Sequence, residues 1–268
     1  MAAAADKYDL YRRAVQSPDS EIDFVDETFQ ALRSRKASRL REDFCAAGAT
    51  ACEWIRRRKA NTAVGLDIDP VPLAWGQAHT IGKLTQPERR RIELRQASVL
   101  ESNSDLVGAF DIVLAMNFSY WTFTRRSVLL EYFRLARAAL VRDGIFFLDF
   151  MGGSEAHLEV RERRNLGRAG RAFTYIWDQQ RFNPITADFC AAIHFKFPDG
   201  SRLKNAFVYR WRLWGIAEIR DALAEAGFSR STVYWEGDDG KGGGNGDFKP
   251  TEEGEACAGY IGYIAAER

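Results

Sequence analysis

"LREDFCAAGAT", residues 40 to 50, has the build of a nucleotide-cradling loop but spells it with a single glycine. An apolar-flanked stretch leads into it and a helix-like run leaves it, the order of a strand, a tight turn and a helix N-terminus. Such a turn gathers backbone N–H groups and the positive end of a helix dipole in one place. Glycine is the residue that lets backbone turn left-handed or approach a ligand closely. Here Phe44 and Ala46 stand where glycines are expected, and Gly48 alone remains. Phe44 is hard to accommodate if its φ must be positive, whereas Ala46 adds only a methyl group and is tolerable at negative φ.

The surroundings decide how the segment reads. Asp67, in "VGLDIDP", lies 19 positions after Gly48 at the end of a second apolar run. A carboxylate about 20 residues past such a loop can accept hydrogen bonds from both hydroxyls of a ribose. Glu42 sits near the end of the first strand, where burying an acid without purpose is costly. "ASVLE" (97–101) follows a third strand, where Ser98 or a nearby amide can meet an adenine edge. "FDIVLAMNFSYW" (110–121) puts Asp111 at the start of a buried strand and Asn117 just past its end. Polar residues thus recur at the carboxyl ends of four successive strands.

Between residues 37 and 150 short apolar runs alternate with amphipathic helices. The strand candidates are 38–44, 62–68, 92–99, 110–116 and 144–150. Asp69-Pro70 supplies a cap and a proline at the first helical position, Thr124 can cap the helix that follows it, and Asp143-Gly144 can end that helix. Strands separated by helices imply an α/β fold with a mostly parallel sheet and ligands at its carboxyl edge. Residues 7–34 read as helical, broken at Pro18. After Phe150 the pattern changes to a polar, basic crossing (151–171) and three aromatic-rich extended segments at about 172–182, 188–197 and 203–213. "NPIT" and "PDGS" between them are turn sequences, so the insert reads as a three-stranded antiparallel meander. A helix stopped at Gly227, a strand at 231–235, a glycine-rich loop (236–247) and a last strand, "AGYIGYIAA", complete the chain. The "GK" in that loop lacks the context of a phosphate loop.

Composition bounds the function. The 268 residues carry 38 Lys+Arg against 37 Asp+Glu, so net charge points to neither nucleic acid nor membrane. No apolar run reaches the roughly 18 to 20 residues that span a bilayer. Four scattered cysteines fit free thiols in a reducing, cytoplasmic setting, and the start "MAAAADKYD" does not read as a signal peptide. The cysteines form no C-x-x-C pair and only three histidines occur, which speaks against a structural zinc site. Basic clusters at 33–41, 56–59, 88–95 and 161–171 read as solvated faces. Most aromatics of the insert read as core, and His194 as a satisfied histidine rather than a base.

Taken in order, "LREDFC", "VGLDID" and "NFSY" resemble the class I S-adenosylmethionine-dependent methyltransferases, especially small methyltransferases of bacterial type. The resemblance covers roughly 35 to 265 and includes the antiparallel ending. It implies a seven-stranded Rossmann-like sheet with helices on both faces, in one domain. Its parts would be N-terminal helices (1–36), a cofactor-binding core (37–150), a cap insert (151–214) and a closing helix with an antiparallel strand pair (215–268). Carried over by position, Glu42 faces the methionine amino group. Phe44, Ala46 and Gly48, with Cys45 between, fall on the glycine loop. Asp67 binds the ribose and Ile68 packs the adenine. Ser98, with Val99 beside it, takes the place of an aspartate facing the adenine amino group, and Met116 and Asn117 line the methionine. Tyr11 of an N-terminal helix closes over the cofactor. The implied activity is methyl transfer from S-adenosylmethionine to an acceptor under the cap, a small molecule first, with nucleic-acid or protein acceptors left open. No catalytic residue is assigned, because in-line transfer asks mainly for alignment and needs a base only if the nucleophile carries a proton. The competing expectation is a non-catalytic interaction module, such as an RNA-binding one, with Phe44 plugging the cofactor loop. Oligomeric state is not legible.

Overall fold

The structure, a computed structural model, describes residues 1–101, 104–168, 171–240 and 243–268. Lys241 of the Gly-Lys pair and Ala169 and Gly170 of the basic crossing lie outside the described residues.

The chain opens with α1 (Lys7–Ala14) and α2 (Pro18–Arg33). Asp6 caps α1 by accepting from the amides of Tyr8 and Asp9, and Pro18 sits at the first helical position of α2. Then come β1 (Arg39–Asp43), α3 (Ala49–Arg57), β2 (Thr62–Asp67), α4 (Pro70–His79), α5 (Gln86–Arg89), β3 (Ile92–Gln96), β4 (Phe110–Ala115), α6 (Arg126–Ala139) and β5 (Leu140–Gly152). Asp69 caps α4 by accepting from the Val71 amide at 2.9 Å. α6 starts at Arg126, two residues beyond Thr124, with Arg125 as an N-cap that makes no side-chain cap bond; the chain is already extended at Leu140, so Asp143-Gly144 lies within β5 rather than ending the helix.

The insert is β6 (Arg161–Leu166), β7 (Phe173–Phe182), β8 (Asp188–Lys196) and β9 (Arg202–Arg212). It forms a four-stranded antiparallel sheet, one strand more than the sequence suggested. The added strand, β6, is exposed and basic, without the alternation that marks a half-buried strand; pairing with β7 makes it a strand. The chain ends with α7 (Ile216–Glu225), β10 (Arg230–Asp238), β11 (Gly244–Thr251) and β12 (Tyr260–Glu267). The expected loop at 236–247 is partly strand: β10 runs to Asp238 and pairs antiparallel with β11, which starts at Gly244, so an eighth edge strand extends the seven-stranded sheet.

The main sheet runs β11-β10-β12-β5-β4-β1-β2-β3. β5, β4, β1, β2 and β3 are parallel neighbours, and β12 runs antiparallel between β5 and β10. Strand order reverses between β1 and β4, and ligands of open α/β sheets bind at such a switch point. One sheet face buries Phe29, Trp54 and Phe147 against α2 and α3, and the other buries Tyr132, Phe133, Phe146 and Trp214 around α6 and α7. A third cluster joins Leu10 and Ala14 of α1 to Phe173, Ile193 and Phe195 of the cap. Helix α1 therefore shares its core with the cap rather than with the main sheet.

Candidate functional site

Three charged residues end β1, and all three are buried: Arg41, Glu42 and Asp43. Alternation sends Arg41 and Asp43 to one face and Glu42 to the other. Arg41 donates to both Asp43 oxygens at 2.6 and 3.1 Å, and the Tyr132 hydroxyl donates to Asp43 at 2.9 Å. Burial raises the Asp43 carboxyl, opposed by Arg41 and Tyr132. Glu42 accepts the Ala51 amide at 2.8 Å, in the first turn of α3. Burial pushes Glu42 up to about 8, with Glu21 and Asp67 adding to the rise. Among the described residues it has no cationic partner.

The loop after β1 is left-handed three times, at Phe44 (φ 56°), Ala46 (φ 46°) and Gly48 (φ 66°). Only Gly48 is crowded as well: a Cβ there would lie 2.7 Å from Leu94. That is why glycine persists at 48 while side chains stand at 44 and 46. Ala46 therefore does not take the negative φ its methyl would prefer. Its amide donates to Asp67 at 2.7 Å, and Asp67 also accepts from Asp69 at 2.9 Å. The Phe44 ring turns toward α6 and packs on Tyr132 and Phe123, with centroids 5.5 and 5.8 Å away. It forms a wall of the loop.

Past β4, Asn117 (φ 59°) and Phe118 (φ 55°) make a second left-handed turn. Both of its amides donate to Asp149 of β5, at 2.6 and 2.8 Å, and the Tyr120 hydroxyl donates to the Asp149 carbonyl. Burial pushes Asp149 up to about 8 against those two amide bonds.

These elements surround a cavity of about 280 Å³. Tyr11, Glu42, Phe44, Ala46, Asp67, Met116 and Asn117, each named from the sequence, line it. The others named there do not. Cys45 is buried beneath the loop, Gly48 is the N-cap of α3, and Val99 belongs to the core. Ser98 accepts the Leu100 amide at 3.1 Å, and Ile68 lies outside the cavity, 71% exposed. Sequence reasoning missed Asp43, Asp149, Trp75 and Tyr209. Asp43 and Asp149 read as ordinary strand residues, and only the fold brings Trp75 and Tyr209 to the roof. Tyr8 meets Trp75 and Phe207 there at 5.7 and 5.9 Å, and the Trp75 indole donates to Asp6 at 2.6 Å. Tyr209 and Tyr11 both line the cavity, and burial pushes both hydroxyls up. Arg12 lines the cavity, and its buried Nε has no partner among the described residues.

His194 stands apart from this cavity. Its Nδ1 accepts the Asn205 amide at 2.8 Å, so Nε2 carries the proton toward Asp178 at 3.1 Å. Asp178 is held well below the carboxylate range by Arg161. His194 is thus a fully bonded member of the cap. All four cysteines are free, and no helix among the described residues is long and apolar enough to cross a membrane.

Neither a family model nor a curated protein matches the chain. Solved structures do. CalS10, an amino pentose methyltransferase from Micromonospora echinaspora solved with S-adenosylmethionine bound, aligns at TM-score 0.70 and 18% identity, over 98% of this chain and 97% of its own. The sugar N-methyltransferase KedS8 from Streptoalloteichus sp ATCC 53650 aligns at 0.68 and 18%, over 97% and 92%. The glycopeptide N-methyltransferase MtfA, in complex with S-adenosylmethionine, aligns at 0.57 and 15%, over 94% and 95%. The fold is that of the class I S-adenosylmethionine-dependent methyltransferases, as the resemblance implied.

Proposed function

We propose that this chain transfers a methyl group from S-adenosylmethionine to a small-molecule acceptor held beneath the cap. The observation that carries the reading is the cavity at the β1–β4 switch point, with Glu42, Asp67 and Asn117 converging on it. The donor set fits a sulfonium nucleoside. Among the described residues Glu42 is a buried acid without a cation, suited to an ammonium group, and Arg12 keeps a guanidinium N–H without a partner, suited to a carboxylate. Both Asp67 oxygens keep a lone pair free for ribose hydroxyls after accepting their amides. Ile68, next to Asp67 and exposed, would pack an adenine ring, and Ser98 would face that ring's edge. Cys45, Gly48 and Val99 act from behind, shaping the loop and floor.

The cofactor, when bound, supplies an electrophilic methyl group on sulfur. Asn117 and Met116 line the cavity that would hold it, and Tyr11, from the lid shared by α1 and the cap, would exclude water there. Alignment of the acceptor supplies much of the rate. The sugar and amino-pentose enzymes of like fold support an amine acceptor, and an amine arriving neutral needs no base. The competing module reading required Phe44 as a plug, whereas its ring packs toward Tyr132 and Phe123.

Calorimetry with S-adenosylhomocysteine tests the reading. We expect micromolar affinity that Asp67→Ala weakens at least about tenfold, the scale of a lost hydrogen bond to a buried charge. No heat with either nucleotide, together with salt-dependent RNA binding, would favour the module.

A further inference from the structure

A second cavity, about 550 Å³, opens where β5, β10 and β12 end, and it shares no lining residue with the cofactor cavity. Its floor is a pair of rings, Trp235 and Tyr260, with centroids 4.5 Å apart and planes at 42°. Phe150 backs both rings, 6.2 Å from each. The far wall is the segment from Thr251 to Cys257, which Ser154 and Glu155 bind by donating their amides to the Cys257 and Ala258 carbonyls. Gly254 presses that segment onto the indole, where a Cβ would stand 2.9 Å from the Trp235 ring. Three carboxylates line this wall. Arg220 pairs with Glu252 at 3.0 Å and is further occupied by Ser231. Glu253 and Glu255 have no ion pair among the described residues.

We infer that this cavity is a second ligand site, for a small organic cation of the methylated-ammonium class. Aromatic faces attract a cation through their negative quadrupole, and a methylated ammonium, weakly hydrated, leaves water for them more readily than a bare one does. Glu253 and Glu255, which line the same cavity, add charge complementarity. A neutral ligand of the same shape gains only the apolar contact, and an anion is repelled. The inference is independent of the methyl-transfer reading.

Calorimetry of the whole chain with choline tests it, beside 3,3-dimethylbutan-1-ol, the neutral isostere in which carbon replaces the ammonium nitrogen. Choline is expected to bind saturably, with a dissociation constant on the order of 1 mM, and the isostere at least about fivefold more weakly. Trp235→Leu should weaken choline at least about fivefold, and the Glu253→Gln/Glu255→Gln double variant by a similar factor. The double variant alters exposed side chains only, so it carries the test should Trp235→Leu fail to fold. Absence of saturation up to about 20 mM choline, equal binding of the isostere, or unchanged choline affinity in the double variant would each overturn the site.

Discussion

The ring of Phe44 rests against Tyr132 at 5.5 Å, and the hydroxyl of that same tyrosine holds Asp43, the residue just before Phe44, at 2.9 Å. Helix α6 thereby grips the cofactor loop twice, once through an aromatic contact and once through a hydrogen bond. The left-handed backbone at Phe44, costing roughly 1–2 kcal/mol for a residue with a Cβ, is offset by that packing.

Substitutions at Phe44 separate the two effects. Phe44→Ala loses the ring contacts and keeps the backbone strain, so it should cost about 2–4 kcal/mol in urea unfolding. Phe44→Gly loses the same contacts but relieves the strain. It should be the more stable of the two by roughly 0.5–1 kcal/mol, reversing the usual order of alanine and glycine. Nucleotide affinity should persist in both. A sharp gain in affinity on removing the ring would mean that it obstructs the site.

Arg41 and Asp43 form a buried pair, their side chains 5% and 0% exposed. Arg41→Met leaves Asp43 without its cation and should destabilise by about 3–5 kcal/mol. The double variant Arg41→Met/Asp43→Asn removes the orphaned charge and should recover at least about half of that loss. Equal stability of the single variant and the parent would place the pair outside the fold's energetics.

Asp149 positions the turn after β4 by taking two amides on its two oxygens. Asparagine offers one acceptor and turns an N–H₂ against the other amide. Asp149→Asn should cost about 1–3 kcal/mol and weaken S-adenosylhomocysteine at least about fivefold, because Asn117 lines the cavity. Asp178→Asn, which sits in the cap against His194 and Arg161, should leave nucleotide affinity unchanged. Equal losses in both variants would mark the effect as general instability.

Glu42 and Asp149 are both pushed up by burial to about 8. Between the ordinary carboxylate range and that value the folded chain holds more protons than the unfolded one. Stability therefore falls as pH rises through this window; the contribution is complete below the unfolded pKa and lost above about 8. Thermal unfolding of the ligand-free protein should show a midpoint that declines from acid toward about pH 8, with a shallower slope in Glu42→Gln. Nucleotide affinity should move the other way, since an ammonium prefers ionised Glu42, and binding should release a proton near pH 7. A flat midpoint across this window would contradict the buried, unpaired state of Glu42.

The sequence by itself determined the α/β order, the antiparallel ending and most of the polar strand ends. These depend on local period, on caps such as Asp69-Pro70, and on carboxylates whose position along a strand already fixes the edge they reach. It left β6 and β11 unread, since both are exposed and polar, and only pairing with β7 and β10 makes strands of them. Asp149 stayed hidden as well. Nothing local tells a strand aspartate that faces water from one that takes two amides of a turn 32 and 31 residues earlier. "LREDFCAAGAT" divides the same way. Its glycine deficit is plain in the letters, but the space that decides which positions accept a side chain comes from Leu94 on β3 and Tyr132 on α6, which meet the loop only once the chain has folded.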